Sequence, residues 1–127
     1  MKKVILFADG TGDSGGGVDS NVWRLYQAID RSPTLVPPQI TSYDDDVGTQ
    51  ENRIIRAISG GTGIGIRRNV IQLYAFLLQQ YEPGDQIYLF GFSRGAYTAR
   101  SLAGLIRGSG ILRPEYAGKL RGAEHLY

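Results

Sequence analysis

The residues Gly91-Phe92-Ser93-Arg94-Gly95 set a serine between two glycines, each two positions away. A strand pattern from Gln86 runs into them, and a helical pattern from Arg94 to Arg107 follows. In that setting G-x-S-x-G is a nucleophile elbow. A sharp strand-to-helix turn drives the serine into strained backbone angles, and side chains at Gly91 or Gly95 would collide. The turn lifts the Ser93 hydroxyl above the carboxyl edge of a sheet, at a helix N-terminus that favours an oxyanion. The chemistry predicted is acyl transfer. Ser93, deprotonated by a histidine, attacks an ester carbonyl; the amides of Arg94 and of the Gly10-Thr11 loop hold the oxyanion; water releases the acyl enzyme. This chemistry requires neither a cofactor nor a metal. The rival reading of the same five residues is an ordinary tight turn.

The other glycine clusters are less specific. Gly10-Thr11-Gly12-Asp13-Ser14-Gly15 matches the dinucleotide pattern G-x-G-x-x-G after a strand. That pattern needs its third glycine in the opening of a helix, whereas Gly16 and Gly17 prolong the loop. An aspartate-nucleophile phosphotransfer reading of Asp9-Gly10-Thr11 fails as well, because Phe7 stands where the nucleophile would be. Two readings stay open for this loop: a second oxyanion amide, or a turn without chemistry. Gly60 to Gly65 lacks the G-K-[ST] of a phosphate loop. Asp44-Asp45-Asp46 offers carboxylates for a divalent cation, against the commoner role of solvated strand-end acids.

The elements that must position these residues alternate. Lys3 to Ala8 is an apolar run suited to a strand buried on both faces. Ser20 to Asp30 reads as a helix opened by an N-cap cluster, and Gln39 to Tyr43 as a second strand. A short helix near 52–58 is expected within the following loop. Val70, Leu73, Tyr74, Leu77 and Leu78 share one helical face up to Tyr81, and the strand and helix around Ser93 follow. Ala96, Ala99, Ala103 and Gly104 are the small residues expected to press the last helix onto the sheet. This order predicts a single α/β domain over 1–127 with a parallel sheet and helices in layers on both sides.

Composition narrows the class. The 127 residues carry a net charge of +2, with eight acids and four bases in residues 1–52 and four acids and ten bases thereafter. The basic residues of the second half are scattered through apolar periodic segments, so a solvated surface is expected and not a nucleic-acid interface. No apolar run approaches the roughly 18–20 residues of a membrane span. The first apolar stretch ends at Asp9, too early for a signal peptide. The absence of cysteine excludes thiol nucleophiles and disulfide scaffolds and fits a cytoplasmic site of synthesis.

Several stretches together resemble the α/β-hydrolase family formed by the catalytic domain of type VI secretion phospholipase effectors and its uncharacterised relatives. They are Phe7 to Thr11, Ser20 to Tyr26, Tyr43 through Thr49, Gly60 to Gly65, Tyr81 to Asp85 and Tyr88 to Arg100, in matching order from Val4 to about Leu112. The resemblance implies a three-layer parallel sheet of α/β-hydrolase type and a serine esterase or phospholipase with a Ser–Asp–His triad, Ser93 at the nucleophile position. Its substrate would be an ester or phospholipid, and delivery by a type VI secretion system would follow. The family's Asp and His belong to a later part of the domain. The chain is therefore expected to be the N-terminal portion of a longer catalytic domain, cut after the nucleophile helix. His125, the only histidine, is not expected to be the base: Glu124 adjoins it in sequence, and no strand separates Glu115 from it. The alternative is a catalytically incomplete fragment, or a non-enzymatic α/β module that binds a partner.

Overall fold

A computed structural model describes residues 1–10, 20–44 and 64–115. Among these residues three strands, β1 (Lys3–Asp9), β2 (Gln39–Asp44) and β3 (Gln86–Phe92), alternate with three helices, α1 (Asn21–Ala28), α2 (Ile64–Gln80) and α3 (Arg94–Ser109). The strands are parallel in the order β2-β1-β3, so the first strand of the sequence is the central one. Its five apolar residues, Val4 to Ala8, are all buried, as a strand covered on both faces requires.

The side-chain alternation of β1 separates two cores. Val4, Leu6 and Ala8 face α2 and α3, where they meet Val70, Leu73, Tyr74, Leu77, Leu78, Leu102 and Leu105. Ile5 and Phe7 face α1 and pack with Val22, Tyr26, Ile29, Tyr43 and Phe90. Among the described residues the arrangement is thus an α/β sandwich with one helix on one face of the sheet and two on the other. The predicted stripe on α2 is the buried one. Tyr74, at its centre, solves the problem of a buried hydroxyl by donating to the Gly110 carbonyl at 2.8 Å and accepting from Leu112 N–H at 3.3 Å.

Helix α1 begins one residue later than expected, because Ser20 is its cap: the hydroxyl accepts from Trp23 N–H at 3.0 Å. The packing face of α3 also differs from expectation. Gly95, Thr98, Leu102 and Leu105 are buried, whereas Ala103 and Gly104 are exposed. Thr98 and two leucines take the buried face, and the close approach to strand backbone at Gly95 lies in the helix's first turn.

The amino ends of β1 and β3 are tied by charge. Lys2 Nζ lies 2.6 Å from Asp85 Oδ2 and 3.0 Å from Glu82, and the Asp85 carboxylate also accepts the backbone N–H groups of Lys2 and Glu82. The Lys2 hydrogen bond first, and then these amides, hold the Asp85 carboxyl down from 3.8 to about 2. A carboxyl lowered on folding contributes stability above its unfolded value and loses it as pH falls through the folded one. Asp85→Asn is therefore expected to lower the melting temperature at neutral pH and to flatten its decline between pH 3.8 and 2. Melting curves across that range check it.

Candidate functional site

At the carboxyl end of β3 the chain turns into α3 in one residue. Ser93 stands at φ 56° and ψ −125°, the one non-glycine residue with positive φ among the described residues. For a side chain other than glycine such angles cost on the order of 1–3 kcal/mol and persist only where the surroundings enforce them. The flanking glycines show what enforces them here. A Cβ on Gly91 would overlap the Gly95 carbonyl and stand 2.8 Å from Ala96 Cα. A Cβ on Gly95 would overlap the Ala8 carbonyl and stand 2.9 Å from Asp9 N. The first turn of α3 thus rests directly on the backbone of the central strand. Ser93 is exposed at this edge, with Phe92 at 49% and Tyr97 at 63% exposure beside it.

The end of β1 meets the same turn. Register pairs Asp9 with Phe92, which brings Gly10 against the residues after Ser93. A Cβ on Gly10 would come within 2.8 Å of the amide nitrogens of both Arg94 and Gly95, so only glycine fits. The Arg94 guanidinium donates to the Gly10 carbonyl from Nη2 at 3.0 Å and from Nε at 3.3 Å. One residue earlier, Asp9 is buried at 3% exposure, and its Oδ2 accepts the hydroxyls of Ser20 and of Tyr43, the latter at 2.8 Å. Tyr43 is packed edge-on to Trp23, with ring centroids 5.1 Å apart. The carboxylate therefore ties the cap of α1 to the end of β2.

Comparison with known families places the chain as a whole. Residues 2–127 match the family model described as T6SS, Phospholipase effector Tle1-like, catalytic domain. The chain belongs to this family. It is also 30% identical to the uncharacterized protein YEL023C of Saccharomyces cerevisiae in an alignment 125 residues long, covering 87% of this chain and 18% of that protein. The chain thus spans less than a fifth of that relative's length. No solved structure matches it significantly.

In this chain the structure brings together Ser93, Arg94, Gly91, Gly95 and Gly10, five of the six residues singled out from sequence. Thr11, the sixth, lies outside the described residues, as do His125, Asp45, Asp46, Gly60 to Gly63 and the segment 52–58. Asp44 ends β2 one strand away from the turn, beside Ala8 in register. Among the described residues no three His, Cys, Asp or Glu side chains are grouped to hold a metal ion. Two contributors escaped the sequence reading. The Asp9 network is not among the sequence expectations, although an acid closing an otherwise apolar strand signals a buried, partnered carboxylate. The Arg94 side chain had no signal in the sequence; only its amide did.

Proposed function

We propose that this chain carries the nucleophile end of a serine esterase of α/β-hydrolase type that cleaves carboxylic esters of phospholipids. The observation that carries the reading is Ser93 at positive φ between β3 and α3, with the Gly10 backbone seated against the amides that follow it. Membership in a phospholipase effector family supports the lipid substrate class, and delivery by a type VI secretion system goes with that membership as part of the same proposal.

In the proposed mechanism, Ser93 Oγ attacks the ester carbonyl carbon while a histidine accepts its proton. The carbonyl oxygen becomes an oxyanion facing the Arg94 N–H and the backbone of Gly10 and Thr11, at the positive end of α3. Collapse expels the alcohol, the lysophospholipid portion, which takes the proton from the imidazolium. Water then attacks the acyl ester on Ser93 by the same route, releasing the fatty acid and restoring the serine. No residue of this chain is assigned as the acid or the histidine of the triad. The test is fatty-acid release from phospholipid vesicles, alongside hydrolysis of a soluble p-nitrophenyl ester, by the protein with its whole reading frame. Absence of both activities overturns the proposal.

His125 provides a second check. The 127-residue chain by itself is expected to hydrolyse ester at most about 10³–10⁴-fold above water, the level that binding and an oxyanion hole supply without a triad. His125→Ala is expected to leave that level unchanged. A robust esterase in the 127-residue chain, abolished by His125→Ala, would make His125 the base and remove the need for a later one.

A further inference from the structure

The Arg94 side chain does something that the esterase reading does not ask of it. Register pairing between β1 and β3 ends at Asp9 and Phe92, so the Gly10 carbonyl is the first beyond the ladder. It belongs to a residue seated against the opening amides of α3, where a Cβ would come within 2.8 Å of the Arg94 and Gly95 nitrogens; a helix leaves such amides without intrahelical partners, and they concentrate positive potential. A carbonyl in that position is the natural competitor for the donors an oxyanion needs. The guanidinium takes it instead, with two donors on one oxygen. Arg94 thus meets Gly10 twice: its amide nitrogen stands where a Gly10 Cβ would crowd it, and its side chain holds the Gly10 carbonyl.

We propose that the Arg94 side chain is a positioning residue that holds the Gly10 carbonyl out of the oxyanion site and fixes the end of β1 against the Ser93 turn. The inference rests on Ser93 being the nucleophile. It assigns the guanidinium to the protein's own backbone and not to the phosphate of a substrate headgroup, the obvious alternative for an arginine beside a lipase serine. The two roles differ in what they change. A clamp acts on transition-state stabilisation and lowers kcat for every ester, charged or not. A headgroup anchor acts on binding and raises KM for phospholipid alone.

The experiment compares wild type, Arg94→Met, Arg94→Lys and Arg94→Ala in the protein with its whole reading frame, using a neutral p-nitrophenyl ester. Misplacing a catalytic group by about 1 Å costs on the order of 10²-fold, so Arg94→Met is expected to lower kcat about 10- to 100-fold with KM within about twofold of wild type. Lysine restores the charge without the two-donor fork and should recover only part of the loss. Millimolar guanidinium should raise kcat of Arg94→Ala towards wild type, a response that a purely structural defect would not show. Unchanged kcat on the neutral ester, with KM raised only on phospholipid, overturns the clamp and makes Arg94 a headgroup anchor. A further arm does not depend on turnover. In nitrogen-15 NMR of the 127-residue chain, Arg94 Nε–H should exchange with solvent more slowly than that of exposed Arg107, and Arg94→Met should shift the Gly10 amide. Equal exchange and an unmoved Gly10 refute the clamp whatever the chemistry of Ser93. Ester turnover that survives Ser93→Ala refutes the nucleophile reading and leaves these NMR signals as they were.

Discussion

Ser93→Ala is expected to abolish labelling by a fluorophosphonate probe and to lower ester turnover of the whole protein by about 10⁶-fold, the loss typical of a triad nucleophile, with the melting temperature nearly unchanged. The constancy of the melting temperature follows from the backbone. Alanine keeps the Cβ that makes φ 56° costly, so the strain held at this residue is the same in both proteins. Ser93→Gly separates the two effects. Glycine reaches these angles freely, so the folded state loses a strain of about 1–3 kcal/mol. The unfolded chain gains freedom that offsets roughly 0.5–1 kcal/mol of it. The net expectation is a variant about 1 kcal/mol more stable than wild type and equally dead. Calorimetry and probe labelling on the same three proteins decide the matter. Labelling that survives both substitutions would move the nucleophile elsewhere, and a Ser93→Gly variant no more stable than wild type would remove the strain from the argument.

How much of this was legible beforehand follows from the range of the interactions. The strands and helices are local patterns, and apolar periodicity with turn residues between gave their order and nearly their bounds. The turn at Ser93 was legible for the same reason, since Gly91, Ser93 and Gly95 lie within one short string. What alternation of elements does not encode is which strand neighbours which. Only the order β2-β1-β3 sets Gly10 beside Arg94, 84 residues later, and Asp9 beside Tyr43, 34 residues later. In the sequence only a chemical need for a second amide ties the Gly10 loop to the elbow; the structure sets the Gly10 backbone against the Arg94 and Gly95 nitrogens. The Arg94 clamp and the Asp9 network answered to no such need, so nothing in the string pointed to them. The misplaced face of α3 has a different origin. Small residues suggest close approach along the whole helix, but it is Gly95, in the first turn, that meets strand backbone, whereas a Cβ on Gly104 would meet nothing and Leu102 and Leu105 fill the core.

That distinction makes two glycines of one helix respond oppositely to the same methyl group. Gly95→Ala sets a Cβ into the Ala8 carbonyl, and the atoms that would have to move belong to the backbone of the central strand. Neither partner is the end of a flexible side chain, so the usual cost of overpacking, about 1–3 kcal/mol, is a lower bound here. Against a total stability of about 5–15 kcal/mol for a domain, the loss is expected to leave Gly95→Ala with a strongly reduced urea midpoint, and Gly95→Val insoluble. Gly104 is exposed in the middle of the same helix, and a Cβ there meets nothing within 4 Å. Gly104→Ala is expected to stabilise the chain by up to about 1 kcal/mol, because alanine has less freedom to lose in a helix. Urea unfolding of both variants reads the difference directly. The consequence reaches the site, because the only way to admit the Gly95 methyl is to slide the first turn of α3 off β1. That movement carries Ser93 and the amides of Arg94 and Gly95 away from Gly10, so whatever folded protein remains should lose activity beyond its loss of stability. A Gly95→Ala variant as stable as wild type would mean that α3 does not rest on the central strand, and the geometry assigned to Ser93 would fall with it.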